Sequence, residues 1–202
     1  MPADSSSQPF TVNTSEGEAP LPAARENPFT PVDVERTLRA RGWLDGHVFP
    51  AMANWLNDAA TLLGPQAAER SALPSEAAQA LEDLLAFIFD YDARAMLSNP
   101  ENQSVMSREG ARDVIRELAN RVLAAGEIDS SRYKEIIEGM KTSLGFHGRK
   151  LFHPIRLALA GRAGEGELDR VILLLDAASQ LPFAIPVKGT RQRMIEFCAA
   201  LD

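Results

Sequence analysis

Apolar residues in this chain of 202 residues recur at offsets of three and four, in stretches that glycine or proline interrupts, and no stretch alternates convincingly as a strand would. Offsets of three and four line one face of an α-helix, whereas a strand needs a period of two. The pattern predicts an all-α fold, a helical bundle. The apolar fraction of 45% comes mostly from Ala, Leu, Ile and Val, with 6% aromatic residues. That balance favours helices and leaves enough apolar surface for a core.

The spacing sets the expected elements. Thr30 caps a first helix, with Pro31 at its first position and Asp33 in its first turn, and Gly42 ends it. Trp55, Leu56, Ala59, Leu62 and Leu63 line a second, which Gly64 and Pro65 stop. Ser75 caps a third element carrying Leu81, Leu84, Leu85, Ile88 and Phe89, closed by Pro100. A fourth helix buries Val114, Ile115, Leu118, Val122 and Leu123 and stops at Gly126. Asp129 or Ser130 caps a fifth, with Tyr133, Ile136, Ile137 and Met140 inward and Gly145 at its end. A short helix over 151–160 has Pro154 in its first turn, and a Gly-rich turn leads to a helix over 167–178. A last helix spans 190–201. Residues 1–27 read as a disordered tail, 28–126 as an N-terminal helical part and 127–202 as a C-terminal helical part.

Several kinds of chemistry are excluded. A formal net charge of −7 argues against general affinity for nucleic acid, so no DNA partner is expected and any RNA contact must be local. The single cysteine, Cys198, forms no intramolecular disulfide, fits a reducing cytoplasm and reads as a buried structural thiol. No apolar run is long enough for a membrane span, and the N-terminus lacks the basic start and apolar stretch of a secretory signal. Asp90 and Asp92 are too few for a metal shell, and His147 and His153 are not spaced as helical ligands. Asp90 and Asp92 read as caps for the following helix. Met140 to Ser143 reads as the last turn of a helix and not as a catalytic loop. No nucleophile, base and orienting group form a constellation, so neither catalysis nor a cofactor is expected.

The one concentrated group of positive charge lies in "HGRKLFHPIRLALAGRAGEGELD", from His147 to Asp169. Arg149, Lys150, Arg156 and Arg162 precede the acids Glu165, Glu167 and Asp169. Arg156 is either a solvated or paired surface arginine or one turned to a ligand, for which its planar fork suits phosphates and base edges.

Residues 145–175 resemble the C-terminal anticodon-binding region of bacterial glutamyl-tRNA synthetases, whose signature is Gly-x-x-Gly-Lys-x-Leu-Phe-x-Pro-Leu-Arg-x-Ala-Leu-Thr-Gly followed by Gly-Pro-Glu-Leu. Leu151, Phe152, Pro154, Arg156, Ala158, Leu159 and Gly161 stand at matching positions. The upstream "LLAFIFDYDARAMLSNPE" is similar to the preceding helical part of those enzymes, and the likeness extends from about residue 75 to 180. The resemblance implies an α-helical cage in which Arg156, Glu165, Gly166 and Leu168 face anticodon bases, while Arg149 and Lys150 touch the RNA backbone. Two positions depart from the signature. Glu165-Gly166 stands in place of Gly-Pro, and Ala160 in place of threonine. No Rossmann-type pattern or His-x-Gly-His motif is present, so the chain reads as a free-standing, non-catalytic relative of the enzyme's C-terminal half.

Two functions remain. One is a module that binds the anticodon arm of a tRNA, with tRNA-Glu or a synthetase-related protein as partner. The other is a protein-interaction or regulatory module that kept the helices and lost RNA recognition. An open positive face of Arg149, Lys150 and Arg156 favours the first. An Arg156 tied to Glu167 or Asp169 favours the second.

Overall fold

A buried arginine in the last helix joins the ends of two others. The structure is a computed structural model that describes residues 27–70 and 73–201, with no strand among them. The helices are α1 (Pro31–Ala40), α2 (Pro50–Glu69), α3 (Pro74–Phe89), α4 (Ala93–Leu97) and α5 (Pro100–Met106). They continue with α6 (Ala111–Ala124), α7 (Ser130–Leu144), α8 (Gly148–Ala160), α9 (Glu167–Ser179) and α10 (Thr190–Leu201). The tail read over residues 1–27 lies outside the described residues except for Asn27, whose amide donates to the Ala60 carbonyl at 2.8 Å.

Local signals decide several boundaries. Thr30 and Asp33 form a reciprocal capping box at α1, Asp129 caps α7, and Asp92 caps α4. Gly145 and Gly161 end α7 and α8 in the left-handed region. At Gly161 a side chain would also meet the Met96 sulfur, 2.7 Å from the position of a Cβ.

Four expectations change. Helix α2 does not stop at Gly64 and Pro65 but continues to Glu69. Pro65 removes one ladder bond, but Leu63, Gly64 and Ala67 stay buried against the neighbouring helices, which offsets the loss. The segment expected to run to Pro100 divides at Asp90, and Pro100 opens α5 instead of closing α3; Ser75 is not the cap, since Pro74 already occupies the first position of α3. Helix α8 starts at Gly148, so Pro154 lies inside it. Leu123 is exposed and Cys198 only partly covered, because neither faces fully into the core.

Helix α2 packs against α1, α3 and α9, while α8 lies against α6, α9 and α10. One apolar core runs through all of these, from Val34 to Phe197. Trp43 stacks on Phe89, and Phe183 meets Phe89 and Trp55 edge-on, with ring centroids about 5.0 Å apart in the latter two pairs. The Trp55 indole N–H donates to the Leu174 carbonyl, tying α2 to α9.

Arg193 of α10 is 0% exposed. Its guanidinium donates to the carbonyls of Phe87 and Ile88 in the last turn of α3, of Leu159 in the last turn of α8, and of Lys188, at 2.6–2.9 Å. Helix C-termini carry unpaired carbonyls and partial negative charge, so a cation fits there. Burial lowers the Arg193 pKa to about 10, which leaves it charged at neutral pH. The Tyr91 ring lies over its face at 4.4 Å, and the Tyr91 hydroxyl donates to the Ala158 carbonyl. Burial pushes that phenol far above its ordinary range.

Removing the Arg193 guanidinium leaves these carbonyls buried without a donor. Arg193→Met is expected to cost roughly 3 kcal/mol or more in urea unfolding, and Arg193→Lys is expected to recover little of it. A loss below about 1 kcal/mol would contradict the role given to this side chain. Hydrogen bonds from Thr30 hold the Asp33 carboxyl below its ordinary value of 3.8. The capping contribution is therefore present above pH 3.8 and disappears as the pH falls through the lower folded value, which amide exchange in the first turn of α1 would follow.

Candidate nucleic-acid interface

The basic motif occupies α8 and the turn that joins it to α9. Leu151, Ile155, Leu157, Ala158 and Leu159 are fully buried, and Arg156 is drawn in among them at 7% exposure. The opposing helix α9 supplies its partner. Arg156 Nε and Nη2 donate to the two carboxylate oxygens of Asp169 at 2.9 and 2.8 Å, and Nη1 donates to the Gly164 carbonyl at 2.9 Å. Such a two-pronged pair has both directionality and charge assistance. The Phe152 ring lies 4.9 Å from the guanidinium, and the Tyr133 hydroxyl donates to Asp169 at 3.0 Å. Burial by itself disfavours the charged guanidinium, but the hydrogen bonds and charge of Asp169 outweigh it and raise its pKa. Tyr133 rises as well, through burial first and the Asp169 charge second.

This clamp fixes the turn over 161–166 from beneath. Leu168 is 1% exposed and packs under Gly164, so it supports the turn from within the core. Gly166 is exposed at the start of α9. Glu165 is exposed and lies 3.4 Å from Arg149, a pair with both side chains more than two-thirds in solvent. Lys150 is also exposed and sits over the Phe146 ring at 3.8 Å. Arg149 and Lys150 therefore share a face, whereas Arg156 is turned inward and neutralised. The other acid considered for it, Glu167, is held by Arg70 of the α2 C-terminus.

Beside the turn is a cleft of about 410 Å³ lined by Tyr133, Lys134, Phe152, Gly166, Asp169 and Arg170, among others. Aromatic faces with a polar rim are what unstacked RNA bases need. Of the residues expected from the sequence to contact RNA, Gly166 alone lines this cleft. The sequence gives no sign of an RNA contact at Tyr133, which reads as a core residue of its helix, or at Arg170, and points to Phe152 only through its match to the signature. Among the described residues no group of three or more His, Cys, Asp and Glu could hold a metal ion, and no helix is long and apolar enough to cross a membrane.

A family model described as "Anticodon binding domain" matches residues 38–178. The chain belongs to this family. The matched interval contains the clamp, the turn and the cleft, and ends before α10 and Arg193. This anticodon-binding domain is also similar to proteins named glutamate–tRNA ligase. It is 29% identical over 108 residues to that of Carboxydothermus hydrogenoformans, which covers 54% of this chain and 20% of the relative. It is 33% identical over 75 residues to those of Bacillus thuringiensis and Bacillus anthracis, covering 37% of this chain and 16% of each relative. The chain thus spans a fifth or less of the length of these relatives. No solved structure matches it.

The clamp and the surface pair differ in worth. Asp169→Asn leaves Arg156 buried without its counter-charge and is expected to cost about 1–3 kcal/mol in urea unfolding. Glu165→Gln, at the solvated pair with Arg149, is expected to change stability by less than about 0.5 kcal/mol. Equal losses from the two substitutions would contradict this division.

Proposed function

We propose that this anticodon-binding domain engages the anticodon arm of a tRNA and catalyses no reaction on it. The reading is carried by the exposed turn over 161–166, which the Arg156–Asp169 clamp holds beside the Phe152 cleft. Unpaired loop bases enter that cleft and stack, while exposed backbone groups of the turn contact their edges. Arg156 is a positioning residue, because its donors are directed at Asp169 and Gly164. Arg149 and Lys150 remain outside for the RNA backbone. The relatives named glutamate–tRNA ligase make tRNA-Glu the first RNA to test. A tRNA partner goes with a cytoplasmic location.

One observation favours a second reading, a protein-interaction or regulatory module whose partner is a synthetase-related protein. Arg156 is neutralised, and the exposed Glu165 carboxylate would repel a phosphate in a chain of net charge −7. Binding of the full chain to labelled total tRNA across a salt series separates the two. The RNA reading expects micromolar or tighter binding that weakens with salt. Phe152→Ala should lose about 1–3 kcal/mol of it, and Glu165→Gln should tighten it, with thermal melts checking the fold of each. Absence of binding at low salt by the wild type and by Glu165→Gln would reject this reading in favour of the protein-interaction one.

A further inference from the structure

A second feature lies at the start of α8. A cavity of about 320 Å³ opens between the turn that joins α5 to α6 and the first turn of α8. Arg108, Arg149 and Lys150 line it, against Glu109 in the lining and Glu165, which lies 3.4 Å from Arg149. All three cations are exposed, and they form a local positive excess in a chain of net charge −7.

The surroundings hold these cations in place. Arg108 donates to His153 Nδ1 at 3.3 Å, and the His153 pKa is lowered by burial first and by Arg108 and Arg149 next. The imidazole is thus kept neutral, as an acceptor for the guanidinium. The Lys150 ammonium lies over Phe146, and its stem and that ring both press on Gly110, which has a φ of 82°. A Cβ at Gly110 would lie 2.6 Å from the ring and 3.2 Å from the lysine stem, so glycine is what lets the pair sit at the cavity edge. The first turn of α8 contains no acid, and the side chain of His147 makes no capping hydrogen bond there. Cations at the positive end of a helix oppose its dipole, an arrangement that an anion between them would relieve.

We propose that Arg108, Arg149 and Lys150 form a site for a backbone phosphate of the bound RNA, an inference that rests on the RNA reading above. The site is independent of base identity. It anchors the strand at the start of α8 while the bases are read at the Phe152 cleft. Arg108, from an element distant in sequence, is the residue that converts an exposed basic stretch into a site.

The test measures binding of the full chain to two labelled RNAs over a salt series: the anticodon stem-loop of tRNA-Glu and the same stem-loop with its anticodon permuted. Arg108→Gln and Lys150→Gln are each expected to reduce the slope of log affinity against log salt by about 0.7–0.9, with equal fold-losses for both RNAs. Arg116→Gln, an exposed cation of α6 that does not line the cavity, is expected to leave the slope unchanged. Wild-type binding with slopes unaffected by Arg108→Gln and Lys150→Gln would overturn the phosphate site and leave the RNA reading standing. Equal slope loss in Arg116→Gln would overturn it too, since the contact would then be diffuse. No RNA binding by the wild type at low salt would overturn both. In that case, shifts of the 108–110 and 148–150 amides on adding inorganic phosphate would assign the cavity to a free anion.

Discussion

The fold depends on how a buried guanidinium satisfies its hydrogen bonds. Arg193 reaches the final carbonyls of α3 and α8 and the carbonyl of Lys188 from a position with no solvent exposure. Each of these groups is costly to bury alone, and each removes the other's penalty. Tyr91 closes the arrangement by covering the guanidinium and bonding to Ala158. The junction holds the last turn of α8, just before Gly161 ends the helix and the exposed turn begins.

The other end of that turn is set in the same way. Arg156 of α8 grips Asp169 of α9 and the Gly164 carbonyl between them, with Leu168 packed beneath. Arg193 and Arg156 are both internal fasteners, one at helix ends and one across a turn. A turn held at both ends enters an interface already ordered, which lowers the entropy lost on binding. The consequence for charge is direct. The positive surface around α8 comes from Arg149, Lys150 and Arg108, which line a cavity separate from the base cleft.

Legibility in the sequence follows the range of the interaction. The all-α class, the bounds of α10 and the caps at Thr30, Asp129 and Gly145 rest on residues a turn apart, so they can be read along the chain. The continuation of α2 through Pro65 cannot, because it depends on packing against α1, α3 and α9. The position of Pro154 within its helix is not legible either, for a related reason. The helix begins three residues before the apolar stripe does, and the stripe was the signal.

The candidate site divides along the same line. The sequence by itself determined a helical chain with one basic stretch between His147 and Arg162 and acids beyond a glycine-rich turn, since periodicity, caps and charge are properties of neighbouring residues. Only the tertiary structure decided that Arg156 turns inward to Asp169, that Phe152 and Tyr133 face a common cleft, and that Arg108 joins Lys150 across a cavity. Those outcomes depend on which helices lie side by side. Coulombic pairing and desolvation act through distances in space that spacing along the chain does not specify.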